Sequence, residues 1–194
     1  MELLRKIDHI VDGAVRVRFT SPHPADVTEE LAEAIAGLPS LCEHIHLPVQ
    51  SGSDEILRRM KRGYGRDEYL EKVALLRTKT PGLAITTDII VGFPGETEED
   101  FQETLGLMQT VGYDGAFMFK YSPRPHTPAL EMSDQVPEEI KGRRLEQALG
   151  LLNQLSLERN RAYLGRTVEV LVDREDVKGD HARLAGRTRQ NKIV

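Results

Sequence analysis

The sequence contains few of the residues that redox sites and disulfide frameworks require. Its 194 residues include one cysteine, Cys42, and no tryptophan, and only 5% of them are aromatic. One thiol cannot form an internal disulfide, and an iron–sulfur cluster is generally held by about four thiolates. We therefore expect Cys42 to be a small buried apolar side chain and the chain to hold no metal cluster of its own.

Long apolar runs are also missing. No stretch reaches the roughly 18 apolar residues of a membrane helix, and Met1 to Lys6 has no apolar signal-peptide core. We expect no contact with a membrane and a cytoplasmic location. The composition, 39% hydrophobic and 29% charged, is typical of a soluble folded chain.

The chain has no overall excess of positive charge, since its formal net charge is −5. Basic residues nevertheless recur from Arg159 to the end, whereas acids cluster at 173–176. A basic, strand-rich tail on an acidic body is typical of RNA-binding proteins, and a solvated charged surface is the alternative.

Apolar periodicity predicts alternating strands and helices. The predicted strands are 14–20, 43–50, 83–91 and 115–121, and the helices are 26–38, 54–61, 67–79, 97–111 and 137–160. Asp26 and Thr97 are the expected N-caps of two helices, and Asp100 should complete a capping box. This order indicates βα units around a parallel sheet.

The character of the sequence changes near 160–165, after which 167–172 is predicted to be a short strand. We place a domain boundary there, with residues 1–160 in one domain and 161–194 in a second. Four βα strands are too few for a closed eight-stranded barrel, and the last residues stop within a predicted strand. We expect a piece of a longer protein, and we expect copies to associate through the bare edge at 15–20.

Unusual loops follow all of the predicted βα strands, at 20–24, 48–53, 91–97 and 120–128. Ligands collect at the carboxyl ends of parallel strands, so these loops predict one shared site. Strand alternation supports a polar barrel interior. Residues expected to face inward are Arg16, Arg18, His44, His46, Pro48, Gln50, Thr86, Asp88, Ile90 and Gly92.

Several of these residues also have ordinary interpretations. The pair of His44 and His46 could bind a metal, but no third ligand is evident, and hydrogen-bonded interior histidines are commoner. We expect Phe117, Phe119 and Tyr121 to belong to the core. Glu96, Glu98 and Glu99 are expected to be favourable acids near a helix start.

Five motifs resemble those of the radical S-adenosylmethionine (SAM) methylthiotransferases. They are FTSPHP at 19–24, HLPVQSGS at 46–53, MKRGY at 60–64, TDIIVGFPGET at 87–97 and DQVP at 134–137. The stretch KYSPRPHTPA at 120–129 is similar to that of the subfamily acting on N6-isopentenyladenosine in tRNA, although His126 stands where glycine is usual.

The resemblance implies an α/β fold, namely a partial (β/α)6 radical-SAM (TIM-like) barrel that lacks its first strands. It also implies that SAM binds at Gln50, Arg62, Asp88 and Gly92, with Ser51 a weaker candidate. A guanidinium such as that of Arg62 can hold the SAM carboxylate with two parallel bonds. Arg124 would then lie in a substrate loop.

The tail from Arg166 resembles the start of a TRAM domain, a small all-β domain that binds tRNA. The resemblance implies RNA contacts at Arg166, Arg187, Arg189 and Lys192.

The family's radical cluster is held by a CxxxCxxC motif, and a second cluster by an N-terminal domain; neither motif is in this sequence. The resemblance therefore implies a parent enzyme with two 4Fe-4S clusters. That parent would use SAM and tRNA as partners and would replace the C2 hydrogen of adenine with a methylthio group. The chain alone would be inactive.

Three alternatives stay open. The parent could be the sister enzyme that methylthiolates a ribosomal-protein aspartate, which tends to carry an acidic pair where Arg124 and Pro125 stand. The chain could be a non-catalytic tRNA-binding module. A generic TIM-type aldolase is remote, because Lys120 is the one lysine near a predicted strand end.

Overall fold

The computed structural model describes residues 2–11, 15–18, 20–178 and 181–194. The helices are α1 (Glu2–Val11), α2 (Glu29–Gly37), α3 (Asp54–Arg59), α4 (Arg66–Lys79), α5 (Glu98–Val111) and α6 (Glu138–Arg161). The strands are β1 (His44–His46), β2 (Ala84–Val91), β3 (Gly115–Lys120), β4 (Val170–Lys178) and β5 (His181–Thr188). Short 3₁₀ turns lie at Pro24–Asp26 and Pro128–Glu131.

The first three strands form a parallel sheet in the order β1-β2-β3, which confirms the predicted α/β class. The ladder continues beyond β1, because Gln50 forms a parallel bridge with Ile89. The predicted strand 14–20 is reduced among its described residues to one parallel bridge between Val17 and Leu41. Ala14 and Phe19 of that prediction lie outside the described residues.

Two further sequence expectations need correction. The helix α1 has no counterpart among the predicted elements. The helix expected at 26–38 begins at Glu29, because Thr28 caps it and accepts the Leu31 N–H, whereas Asp26 lies in a 3₁₀ turn. The capping box of Thr97 with Asp100 is confirmed, as is the start of α6 after Pro137.

The core lies between the sheet and the helices. Ile45, Leu47 and Val49 are fully buried, as are Ile85 and Ile89 on β2. Each such side chain contributes about 1.5–3 kcal/mol by leaving water. Alternate positions on β1 and β2 thus supply the apolar face that the sequence predicted.

Two tyrosines extend this core without leaving a hydroxyl unpaired. The fully buried Tyr113 donates to the Tyr69 hydroxyl at 2.9 Å, and Tyr69 donates to the Leu47 carbonyl oxygen at 3.0 Å. Burial raises the pKa of both phenols above their usual range. The chain of hydroxyls ties α4 and the start of β3 to β1.

A buried ion pair holds α6 against the loop after β2. The guanidinium of Arg144 donates to Glu96 Oε1 at 2.8 Å, and the two side chains are 5% and 2% exposed. The same carboxylate oxygen accepts the Gly92 N–H at 2.8 Å. Burial raises the pKa of Glu96, while the Gly92 N–H and Arg144 both oppose that shift. Glu96 was expected to be an ordinary helix-start acid, and that expectation was wrong.

The strands β4 and β5 form an antiparallel hairpin that docks on the amino ends of the parallel strands. Arg189 binds both carboxylate oxygens of Glu43 at 2.9 and 2.8 Å, just before β1. Lys192 binds Asp114 at 2.8 Å, just before β3. Arg18, which precedes α2, donates to the Thr188 carbonyl oxygen at 2.7 Å.

We predict that Arg144→Ala lowers the free energy of unfolding by about 3–5 kcal/mol, because it leaves the Glu96 carboxylate buried without its partner. Urea unfolding at neutral pH measures the change. Arg143→Ala is the matched control, since Arg143 is 69% exposed and lies 3.9 Å from Glu98. Equal stability of the two variants would contradict the role given to the buried pair.

Candidate functional site

The inner face of the parallel sheet is polar at its amino end, as the strand alternation predicted. His44 and His46 are 7% and 9% exposed, and both bond the Thr86 hydroxyl, at 3.2 and 2.9 Å. The other ring nitrogen of His46, Nε2, lies 3.1 Å from Asp88 Oδ1. Four side chains from β1 and β2 are therefore joined in one row.

The row has a consistent direction. When His44 donates from Nε2 to Thr86, the Thr86 hydroxyl can donate to His46 Nδ1, and His46 then donates from Nε2 to Asp88. His44 Nδ1 has no partner, which suits the unprotonated nitrogen of a neutral ring. Burial lowers the pKa of His44 to about 4, with the Arg18 charge as the next cause. The arrangement fixes the orientation of the Asp88 carboxylate.

A cavity of about 590 Å³ opens at the carboxyl ends of the same strands. It is lined by three of the residues predicted from the sequence, namely Gln50, Arg62 and Arg124. Its other lining residues are Arg59, Met60, Lys61, Ile90, Phe93, Phe119, Lys120, Tyr121, Ser122, Thr127, Pro128, Ala129 and Met132. The loops after β1, β2 and β3 thus contribute to one cavity, whereas the loop at 20–24, which was expected to share it, does not line it.

Gln50 enters this cavity from a constrained backbone. Its φ is 72°, a left-handed conformation that is uncommon for a residue other than glycine. Two backbone bonds hold it there, since Gln50 N–H donates to the Asp88 carbonyl at 2.8 Å and Ile90 N–H donates to the Gln50 carbonyl at 2.9 Å. Strain of this kind persists where surrounding contacts fix the conformation, and it is commonest at functional sites.

Arg62 is placed by the end of α3. Lys61 is left-handed, with a φ of 56°, and the N–H groups of Lys61 and Arg62 donate to the carbonyls of Arg58 and Leu57. These are the two bonds of a Schellman motif, which ends the helix and turns the chain back.

The Arg62 Nε–H group donates to the Tyr64 hydroxyl oxygen at 3.3 Å, and the Tyr64 hydroxyl donates to the Val49 carbonyl oxygen at 3.0 Å. Tyr64 was not among the site residues predicted from the sequence. Its place as the last residue of the MKRGY motif was the sequence signal that could have identified it.

The remaining predicted SAM residues do not line the cavity. Ser51 is fully buried, and its hydroxyl lies 3.3 Å from that of Thr104. Gly92 has a φ of 72°, and an added Cβ would lie 2.3 Å from Cγ of Lys141 on α6. Both residues therefore shape the loops around the site. Their contact with SAM stays a prediction, as does that of Asp88.

The cavity lining is strongly basic. It includes Arg59, Lys61, Arg62, Lys120 and Arg124 and no acidic residue, although the chain as a whole is acidic. Arg59 is paired with Asp134 at 2.7 Å, and Lys120 with Glu138 at 3.1 Å. The arrangement favours a ligand that carries negative charge.

The predicted RNA-binding residues of the tail differ in their availability. Arg166 is exposed. Arg187 bonds the Asn191 side chain at 3.2 Å, and Arg189 and Lys192 bind Glu43 and Asp114. The contact of all four residues with RNA stays a prediction. Arg187, Arg189 and Lys192 already have partners within the chain.

Cys42 does not fit an iron–sulfur cluster. It is 3% exposed and lies beside the Val17 bridge, and burial raises the pKa of its thiol, whereas a cluster ligand is a thiolate. The expectation that Cys42 is buried is confirmed. Within the described ranges, no three His, Cys, Asp or Glu side chains are grouped as metal ligands. None of the helices described is both long and apolar enough to cross a bilayer.

Comparison with known proteins gives a family and a set of close relatives. The Radical SAM superfamily profile matches residues 1–108. A protein of Carboxydothermus hydrogenoformans is 53% identical over 193 residues, which cover 100% of this chain and 43% of the relative. A Koribacter versatilis protein is 50% identical, with the same coverages. Both are named tRNA-2-methylthio-N(6)-dimethylallyladenosine synthase. The chain thus spans less than half the length of these relatives.

Two solved structures share the fold. The coproporphyrinogen III oxidase of Escherichia coli, described as a radical SAM enzyme, matches with a TM-score of 0.58 and 19% identity over 70% of this chain and 31% of its own. The Elp3 protein of Methanocaldococcus infernus matches with a TM-score of 0.54 and 13% identity over 87% of this chain and 52% of its own.

We predict that Gly92→Ala destabilises the chain by at least about 1 kcal/mol more than Gly63→Ala, because crowding in a packed site adds roughly 1–3 kcal/mol to the backbone strain. Gly63 has a φ of 75° and nothing near its added Cβ, so it carries the strain alone. Urea unfolding of both variants measures the difference. Equal losses would show that the approach of Lys141 is unimportant.

We also predict that His44 makes the stability depend on pH. Its folded pKa of about 4 lies below the ordinary value of 6.5. Its contribution is therefore present above pH 6.5 and is lost as the pH falls toward 4, by up to about 3 kcal/mol. The unfolding free energy of wild type minus that of His44→Gln should therefore become smaller as the pH falls from 6.5 to 4. The exposed His9→Gln variant is the control, and a difference independent of pH would refute the assignment.

Proposed function

The chain belongs to the radical SAM superfamily, and we propose that it is part of an enzyme that methylthiolates C2 of N6-isopentenyladenosine in tRNA. The observation that carries the proposal is the convergence of Gln50, Arg62 and Arg124 on one basic cavity at the strand ends. The names of relatives about half identical over the whole chain support the same substrate.

The cavity suits SAM and an anionic substrate together. The guanidinium of Arg62, fixed by Tyr64, would bind the SAM carboxylate, and the Gln50 amide would bond its ribose. Ile90, Phe93 and Met60 supply apolar walls for the adenine. Asp88, oriented by His46, would accept a hydrogen bond from SAM. Gly92, which has no side chain, would let the loop backbone approach the adenine of SAM closely. When bound, SAM would supply the methyl group and the radical that abstracts hydrogen.

The residues of this chain do not account for the iron–sulfur clusters that the family uses, because its one cysteine is buried away from the cavity. We propose that the 4Fe-4S clusters belong to other parts of a longer parent enzyme. The parent would be a cytoplasmic transferase, and this chain alone would be inactive. We also propose association of isolated chains through the edge beside Val17.

The C-terminal hairpin would be the beginning of a TRAM-like RNA-binding domain, with residues 161–194 forming the second domain. The exposed Arg166 would contact phosphate directly. Arg189 and Lys192 are paired with Glu43 and Asp114, so an RNA contact by these side chains would compete with docking of the hairpin on the barrel.

Nucleoside mass spectrometry tests the reaction. The full-length parent protein is expressed in cells that lack the modification. The tRNA of these cells is digested, and its nucleosides are compared with those of untransformed cells. A nucleoside heavier by a methylthio group in place of hydrogen supports the proposal. The same mass change on a ribosomal-protein aspartate would favour the sister activity instead, and tRNA binding without SAM binding would favour a non-catalytic module.

We predict that Arg62→Ala in the intact protein weakens SAM binding by at least about tenfold, since a charge-assisted bond contributes roughly 1.5–3 kcal/mol. Arg58→Ala is the matched control, because Arg58 lies on α3 shortly before Arg62, is 71% exposed and pairs with Glu55. Titration calorimetry with SAM provides the measurement. Unchanged affinity in Arg62→Ala would remove Arg62 from the site.

Asp88→Ala should likewise weaken SAM binding while leaving tRNA affinity nearly unchanged, because its carboxylate points to the inner face. Calorimetry with SAM and filter binding with tRNA separate the two effects. His46→Gln distinguishes orientation from direct contact, since it removes the partner and keeps the carboxylate. Unchanged SAM affinity in Asp88→Ala would contradict the assignment.

A further inference from the structure

We propose that Phe117 and Phe119 on β3 form a stacking platform for a nucleobase, which under the proposed function is the adenine of the RNA substrate. The proposal rests on the proposed function for the identity of that base. The platform itself follows from the exposure of the two rings, from their common face and from the charge around them.

The exposure of the two rings is unusual for phenylalanine. Phe117 is 64% exposed and Phe119 is 54% exposed, whereas Phe93 and Phe101 are at most 7% exposed. Both rings were expected in the core, and that expectation was wrong. Exposing two phenylalanine side chains, two residues apart on one strand, to water is unfavourable in free energy. The two rings therefore point to a ligand that covers them.

Strand register places both rings on the inner face. Phe117 pairs with Asp88 and Phe119 with Ile90 on the neighbouring strand. The rings of His46 and Phe117 also form a T-shaped contact, with centroids 5.8 Å apart and the planes at 67°. The platform therefore continues the row of inner-face side chains outward toward the cavity.

The spacing along the strand suits a flat ligand. Residues two apart on one face are separated by roughly 6.6 Å. Phe119 also lines the cavity, so a base lying on the platform would have its sugar and phosphate at the cavity mouth. An aromatic ring and a nucleobase stack with a free energy that depends little on the base.

Charge identifies the class of occupant. Among the five cations of the cavity, Lys61, Arg62 and Arg124 have no acidic partner within the described part of the chain, whereas Arg59 and Lys120 do. Apolar rings beside unpaired cations are complementary to a base attached to a phosphate. An apolar peptide would leave the cations without partners, so a single-stranded nucleic acid fits better.

Anisotropy titrations of the full 194-residue chain with a labelled, short single-stranded oligoadenylate test the platform. An abasic oligomer with the same backbone is the second probe. The variants are the double substitution Phe117→Leu with Phe119→Leu, which keeps the apolar surface, and Phe117→Tyr with Phe119→Tyr, which keeps the rings. Leu157→Ala removes a side chain of 51% exposure on α6 and is the control.

The expected result is that the leucine variant binds oligoadenylate at least about fivefold more weakly than wild type and binds the abasic oligomer equally well. The tyrosine variant and Leu157→Ala should bind both probes like wild type. Thermal unfolding checks that the exposed substitutions leave the fold intact.

Equal oligoadenylate affinity in wild type and the leucine variant would overturn the platform and leave the proposed function standing. A loss of equal size for both probes would also overturn it, because it would show a phosphate effect. If the stacking result holds while tRNA gains no methylthio group, the proposed function fails and the platform remains.

Discussion

The buried pair of Glu96 and Arg144 is the contact on which the arrangement of the site depends. One carboxylate oxygen holds both the Gly92 N–H and the guanidinium of α6, so the loop after β2 and the last long helix share one anchor. Lys141, one turn earlier on α6, fills the space above Gly92 and donates to the Tyr121 carbonyl at 3.3 Å. Phe93 and Tyr121, which both line the cavity, are thereby held on loops that share contacts with α6.

Two residues with a strained backbone position side chains at the cavity. Gln50 and Lys61 both have left-handed backbones, and each is held by two main-chain hydrogen bonds. Their neighbours are fully buried apolar residues such as Val49 and Leu57. The rigid core thus supports two unfavourable conformations that aim Gln50 and Arg62 at one space, which is how a preorganised binding site is commonly built.

The parallel sheet, most helix positions and the polar inner face could be predicted from periodicity, because those features depend on local patterns of two and 3.6 residues. The roles of Glu96 and of the phenylalanines on β3 could not. Glu96 looked like a first-turn acid because its partner, Arg144, is distant in the sequence. Phe117 and Phe119 looked like core because hydrophobicity alone does not say which face of an edge strand is covered.

Similarly, the positive charge of the tail could be read from the sequence, but the acidic residues that pair with it could not. Arg189 and Lys192 were recognisable as basic residues of a strand-rich segment, while Glu43 and Asp114 lie far away in the sequence. The hairpin they hold is attached at the amino ends of the strands, and the cavity lies at the carboxyl ends. The two are separated by the length of β2, eight residues or roughly 26 Å. The parallel sheet therefore sets a fixed distance between the two places, and any single ligand that contacts both must span it.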